Sequence, residues 1–291
     1  MSKSLEPSAN NKGFLINALR KGLRMDGRPL TDFRDLKIQF GEDYGQVDVS
    51  LGSTRVMARI SAEITKPYSD RPFDGIFAIT TELTPLASPA FETGRVSEQE
   101  VIISRLIEQA IRRSNALDTE SLCIVSGQKC WNVRASIHFI NHDGNLVDAA
   151  CIAVITALCH FRRPEITVLG DEITVHSIDE RVPVPLSVLH TPICVTFSFF
   201  EDGSLSAIDA SLEEEELRTG SMTVTLNKNR EICQIFKAGG VTIDASSVVA
   251  CAHTAFQKTT SIISEIQRVL DEDLSKKETQ FFGGSAENQR S

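Results

Sequence analysis

The sequence predicts an α/β (α+β) protein made of two tandem units, each a set of short strands closed by a helix. Three observations carry this. Apolar residues alternate in short runs along residues 34–63, a Ser-capped amphipathic helix follows at 97–113, and strand-like runs ending in a long helix occur again after the connector Val182-Pro183-Val184-Pro185.

Residues 1 to about 12 are polar and are expected to fray. Phe14 to Leu23, apolar at 15, 16, 19 and 23, reads as a short amphipathic helix that Arg24-Met25-Asp26-Gly27-Arg28-Pro29 breaks. Leu36, Ile38 and Phe40, then Val47, Val49 and Leu51, then Val56, Ala58 and Ile60 fall on every second position. With turns at 41–45 and Gly52-Ser53, that pattern predicts an antiparallel meander. A further strand fits 75–83, and the Pro-, Ala- and Ser-rich stretch 85–94 reads as a loop. Ser97 with Glu100 three residues later is a capping box, each side chain satisfying the other residue's free N–H. The helix it opens runs through Arg113, burying Ile103, Leu106, Ile107 and Ala110 and turning Arg105, Glu108, Gln109 and Arg112 to another face. Strands at 121–126 and 129–140, a turn, and an apolar helix from Ala149 to Cys159 complete the first unit. The second holds strands near 191–200, 204–209, 221–227 and 230–236, a Gly239-Gly240 turn, and a helix from Ser247 to about Leu274. Beyond Lys277 the chain is polar and reads as a disordered tail.

At 291 residues, with 41% hydrophobic and 24% charged residues, the composition is that of a globular protein of about two domains. No apolar run approaches the roughly 18 residues of a membrane span, and the N-terminus lacks a leader layout, so an intracellular protein is expected. The seven Cys are odd in number, scattered, and set mostly in apolar segments, which predicts reduced core thiols and no metal site. A net charge of -9 argues against indiscriminate nucleic-acid binding by the whole chain. The charge is uneven, however. Arg105, Arg112, Arg113, Arg162 and Arg163 crowd the first half, while Glu213-Glu214-Glu215-Glu216 and Asp271-Glu272-Asp273 carry much of the acid.

The stretch Asn141-His142-Asp143-Gly144-Asn145-Leu146-Val147-Asp148 joins an apolar strand to an apolar helix. Such an elbow gathers free N–H groups and the positive helix end at one point, which suits an anion. Here Leu146 and Val147 offer no hydroxyl or guanidinium, and Asp148 is expected to add a negative charge where the anion would sit. His142 and Asp143 read as an Asp-Gly turn with a packed histidine. Glu213 to Glu216 read as a solvated acidic turn, since four consecutive residues point all around a helix. Cys159 and His160 read as packing at a helix end, where Arg162 and Arg163 suit the negative dipole.

With these pieces assembled, the chain resembles the RNase PH-like ring subunits of the RNA exosome over nearly everything from Leu15 to Leu274. The resemblance rests on Arg24-Met25-Asp26-Gly27-Arg28, Pro89-Ala90-Phe91-Glu92, Arg105-Leu106-Ile107, Asn141-His142-Asp143-Gly144-Asn145, Asp148-Ala149-Ala150, Pro183-Val184-Pro185-Leu186-Ser187, and Asp209 with the acidic run after it. The elbow and Ala157-Leu158-Cys159-His160-Phe161-Arg162-Arg163-Pro164 narrow it to the autoantigen type of eukaryotic ring subunit. It implies an N-terminal helix and arm (1–30), two RNase PH domains of the ribosomal-protein-S5 type (31–165 and 185–275) and a flexible tail (276–291). It also implies a hetero-hexameric ring with RNase PH-like neighbours, S1/KH cap subunits, a hydrolytic nuclease and single-stranded RNA, in the nucleus, nucleolus and cytoplasm.

Active members of that family phosphorolyse RNA from its 3′ end, holding phosphate with a Gly-Gly-Ser/Thr-Arg loop and using two Asp six residues apart. This sequence departs from both patterns: the loop positions are Asn145, Leu146 and Val147, and the acidic positions fall on Glu215 and Ser221. The resemblance therefore implies a subunit with no catalytic residue, cofactor or metal. It makes Arg105, Arg112 and Arg113 sequence-independent contacts to RNA phosphates, where the residues alone describe a solvated helix face. The scarcity of aromatics, 6%, near that patch argues against base readout. Arg24, Asp26 and Arg28 read as a salt-bridged turn, with a neighbouring subunit as a second candidate partner. Two alternatives stand beside this reading: an active phosphate-dependent exoribonuclease with a variant site, and a scaffold that never meets RNA.

Overall fold

The computed structural model describes residues 9–287, apart from 93, 95, 170–171 and 178–180. Helix α1 (Ala9–Arg20) lies earlier than the expected 14–23, with Leu15 and Leu19 buried and Phe14 and Leu23 exposed. Gly22 sets its end. At φ 71° it lets Leu23 N–H donate to Ala18 O (3.0 Å) and its own N–H donate to Leu19 O (2.9 Å), which closes the last turn.

Strands β1 (Leu36–Phe40), β2 (Gln46–Leu51) and β3 (Thr54–Thr65) form the expected antiparallel meander, with Ile38 opposite Val49 and Val49 opposite Val56. The edge strand β4 (Ile76–Leu83) runs parallel to the long β6 (Lys129–Asn141), which also pairs with β3, and β5 (Cys123–Val125) folds back on β6. Helix α2 (Glu98–Arg112) opens on the capping box, with Glu100 N–H donating to Ser97 Oγ (3.1 Å), and buries the predicted stripe plus Ile111.

Helix α3 (Leu146–His160) is buried on nearly every face because it lies between the first sheet and β11 of the second unit, which explains its unbroken apolar sequence. Its C-terminal carbonyls accept from Arg162 Nη1 (Cys159 O, 2.9 Å), as the dipole argument anticipates. The connector carries β7 (Arg162–Arg163), β8 (Ile166–Leu169), β9 (Glu172–Val175) and β10 (Val184–Pro185); β7 pairs with β10 and β8 with β9.

In the second unit β11 (Ile193–Phe200), β12 (Leu205–Ile208), β13 (Gly220–Leu226) and β14 (Ile232–Phe236) form an antiparallel sheet in the order β12-β11-β13-β14. A short helix α4 (Leu212–Leu217) precedes β13, and α5 (Ala245–Glu287) closes the unit. Helix α5 serves two cores: Cys251 and Ala255 pack on the second sheet, and Ile262, Ile263 and Ile266 enter the core of the first.

The helix was expected to stop near Leu274, with a tail from 276, yet it continues to Glu287. The reason lies at Lys277, whose Nζ sits 4.4 Å from the Tyr44 ring centroid, 2.9 Å from Asp273 Oδ2 and 2.8 Å from His160 Nε2. These contacts hold the helix on the first unit, and the rest of the expected tail, 288–291, falls outside the described residues. Burial, with Lys277 adding to it, lowers His160 to a pKa of about 4. All seven Cys are free thiols. Among the described residues no helix is long and apolar enough to cross a membrane.

Candidate functional site

The elbow of the first unit meets the acidic turn of the second at close range. Gly144, at φ 81°, approaches so tightly that a Cβ there would stand 2.5 Å from Ala210 O and 2.7 Å from Leu212 N. Only glycine fits. Asn145 follows at φ 51° and forms the N-cap of α3, and its backbone N–H donates to Glu215 Oε1 (3.2 Å). The point where a helix N-terminus would accept an anion therefore faces a carboxylate of the chain itself. Burial raises the Glu215 pKa, partly opposed by Arg218, whose Nη1 donates to Oε1 at 3.0 Å. Leu146 is buried and Val147 packs against the first core, so neither side chain presents a polar group to the elbow.

Asp209, fully buried, is the hub beneath. Its carboxylate accepts from Arg34 N (2.8 Å), Nε (3.0 Å) and Nη2 (2.8 Å), from Arg28 Nη1 (2.7 Å) and from Asn145 Nδ2 (2.7 Å). Burial alone would raise its pKa, but the Arg34 hydrogen bond and charge outweigh it and the value falls. The Arg34 guanidinium in turn donates to Asp143 O (2.6 Å) and Gly144 O (3.2 Å), holding the elbow's carbonyls. Arg24 is buried against Glu214, with further bonds to Ile208 O and Asp209 O (both 2.8 Å). The 24–28 motif is thus a salt-bridged turn, with Glu214, Asp209 and Asp26 as its partners within the chain.

Two expectations are corrected here. Asp148 does not stand at the mouth of the elbow, because the helix begins three residues earlier than expected and its first turn aims Asp148 inward. Its carboxylate accepts from Thr196 N (2.8 Å), Thr196 Oγ1 (2.7 Å) and Asn145 Nδ2 (3.0 Å), and burial raises its pKa to about 7. The run Glu213 to Glu216 is not simply solvated: Glu213 and Glu216 are exposed, but Glu214 is buried on Arg24 and Glu215 faces the elbow. His142 is as expected, its Nδ1 accepting from Gly144 N–H (3.3 Å) beside Phe91, with burial lowering its pKa. Ser221 lies within β13 opposite Ser198, on a different element from Glu215. Chemically, this arrangement clamps the two units together, because each charged group at its centre is already engaged.

On the outer side, Arg105 and Arg112 share one face of α2, seven residues apart, and both are exposed; Arg112 Nη1 donates to Glu108 Oε1 (3.3 Å). Arg113 is the C-cap, about 100° around the helix from Arg112, so the structure sets it apart from the other two. Gln109 turns away to accept from Gln234 Nε2 (3.2 Å) on β14. The sequence reading missed what stands beside this face. Tyr68 and Arg71 join Glu108, Arg112 and Asn115 around a cavity of about 480 Å³, and Tyr68 and Phe73 are 60% and 66% exposed. One aromatic ring, Tyr68, does stand beside Arg112, and its Tyr-x-x-Arg spacing with Arg71 is the signal in the sequence.

The family description "3' exoribonuclease family, domain 1" matches residues 32–164, and "domain 2" matches 190–258. The chain is 74% identical over 291 residues to the exosome complex component rrp45 of Schizosaccharomyces pombe, covering 100% of both. It is 48% identical to the Saccharomyces cerevisiae exosome complex component RRP45, covering 100% of this chain and 99% of that one. Against the Homo sapiens exosome complex component RRP45 the identity is 44%, over 95% of this chain and 64% of that protein. Among solved structures, one described as the Archaeoglobus fulgidus exosome with RNA bound to the active site superposes with a TM-score of 0.77 at 28% identity, over 88% of this chain and 97% of that one.

Proposed function

The chain belongs to the 3′ exoribonuclease family of RNase PH-domain proteins, and from that premise we propose that it is a non-catalytic ring subunit of an RNA exosome. It contributes structure and an RNA-contacting surface to 3′-to-5′ degradation and processing, including rRNA maturation and RNA turnover. Its partners are RNase PH-like ring neighbours, S1/KH cap subunits, a hydrolytic nuclease and single-stranded RNA, in the nucleus, nucleolus and cytoplasm.

One observation carries the non-catalytic reading: the α3 N-terminus faces Glu215, and Asp209 is saturated by Arg28, Arg34 and Asn145. Phosphorolysis needs inorganic phosphate held in line with the scissile bond and an electropositive cradle for its charge. A carboxylate at the helix end repels that phosphate, and the nearby guanidiniums are held by carboxylates. RNA contact falls to the exposed face: Arg105 and Arg112 take backbone phosphates, with Arg71 beside Arg112 and Tyr68 offering a ring for a base to stack on.

The test incubates the purified chain, and the ring reconstituted with it, with 3′-ended RNA and inorganic phosphate. The chain alone is expected to release no nucleoside diphosphate, and Glu215→Ala to leave the ring's output unchanged. Phosphate-dependent release that Glu215→Ala abolishes would make this chain an enzyme. Ultraviolet crosslinking of RNA to this subunit is expected to drop with Arg105→Glu/Arg112→Glu; equal crosslinking refutes the RNA surface.

A further inference from the structure

A second recess lies on the far side of the second unit, between the edge strand β14 and the first turns of α5. Its volume is about 310 Å³, with Leu226, Ile232, Ala252 and Phe256 as apolar lining and Arg230, His253 and Gln257 around them. Two rows of side chains define it as a groove. On α5, Val249, Ala252, His253 and Phe256 follow i, i+3, i+4 and i+7, so they form one stripe. On β14, Ile232 pairs with Leu226 and Ile235 with Val224, and paired residues share a face of the sheet. Leu226 and Val224 belong to the core beneath α5, so both isoleucines face the helix side too. Yet Ile232, Ile235 and Val249 are 50%, 48% and 69% exposed.

Two cations and one carboxylate stand in the β13–β14 turn beside the groove. Arg230, held at φ 67° in the β13–β14 turn, lays its guanidinium 4.5 Å over the Phe256 ring. Lys228 is exposed in the same turn and His253 on the facing helix. The carboxylate of the adjacent Glu231 is engaged by Asn227 Nδ2 (2.6 Å). In a chain of net charge -9, two cations at the rim of an apolar groove, against one carboxylate already hydrogen-bonded within the turn, favour an anionic occupant. Among the described residues the strand order gives β14 a neighbour on one side only, so its other edge offers backbone N–H and C=O groups.

We propose that the β14–α5 groove docks an extended polypeptide segment of a partner protein, which adds as a strand to β14, seats an apolar side chain between Ile232 and Phe256, and places an Asp or Glu against Arg230. An edge strand facing a helix across an apolar floor is an arrangement suited to strand addition, in which main-chain bonds give affinity and pockets give selectivity.

A random dodecapeptide phage library panned on the immobilised full-length chain tests this. Enriched peptides are expected to carry a large apolar residue within two positions of an Asp or Glu. Arg230→Glu and Ala252→Trp, both at accessible positions and checked by circular dichroism, should each weaken them at least tenfold, and N-methylation of alternate peptide amides should weaken them severalfold. The proposal is overturned by absence of enrichment, by binding indifferent to both substitutions, or by displacement with poly(U), which would make the groove an RNA site. Self-association of the chain that Ala252→Trp abolishes would equally overturn it, since a second copy would then fill the groove.

Discussion

Arginine is put to opposite uses in two regions of this molecule. At the joint between the units, Arg24 is buried and Arg28 and Arg34 are part-buried, each donating to a carboxylate and to backbone carbonyls. On the outer face of α2 Arg105 and Arg112 stand in solvent, as does Arg113 just off that face, and the Glu108 partner of Arg112 is itself part-exposed. The difference is made by what waits for the cation. Where a carboxylate is held in place by the fold, the guanidinium becomes architecture; where none is, it stays available for a ligand.

The sharpest way to break that contrast is Asp209→Ala, which removes at once the buried carboxylate that two part-buried guanidiniums share. A loss of about 3–5 kcal/mol is expected in chemical denaturation, and a loss under about 1 kcal/mol would mean the joint is as well solvated as a surface pair. Glu214→Ala should cost less, about 2–3 kcal/mol, because it removes the carboxylate of one arginine, where Asp209 serves two.

A third measurement uses pH. Burial raises the Asp148 carboxyl to about 7, so the native state holds that proton more tightly than the unfolded chain, where the pKa is about 3.9. The contribution is complete below about pH 4 and is lost as pH rises through about 7. Asp209 has the opposite sign: its pKa is lowered, so its stabilisation holds above the unfolded value and fades on acidification. Urea midpoints of wild type should therefore decline between about pH 5 and 7.5 relative to Asp148→Asn; parallel curves would refute the assignment. The smallest effect on stability belongs to Arg105→Glu/Arg112→Glu, within about 0.5 kcal/mol of wild type, although RNA crosslinking should fall severalfold. Arg113→Glu should reduce crosslinking less, because it lies off that face.

Much of the fold was legible because local rules and tertiary packing agree. The alternation at Val47, Val49 and Leu51 puts all three in the core, and Ser97 with Glu100 caps α2 as its spacing demands. The site was half legible. The loss of polar side chains at Leu146 and Val147 is visible in the letters, but the direction of Asp148 is not. It depends on the left-handed Asn145 starting the helix early, and on Thr196 waiting 48 residues away. Arg34 carried no signal at all: it is one arginine beside an apolar run, and its role exists only because 175 residues later Asp209 arrives beneath it. Glu214 was misjudged for a similar reason, since helical spacing shows that four acids point in different directions but not which direction is occupied.

The long closing helix has a thermodynamic consequence. Its early turns complete one hydrophobic interior, its middle turns complete the other, and its Lys277 region is moored on Tyr44 and His160. Neither half is finished without it, so the halves should melt in a single calorimetric transition, and trimming the chain before Asp273 should unbuckle the first half as well as shorten the second.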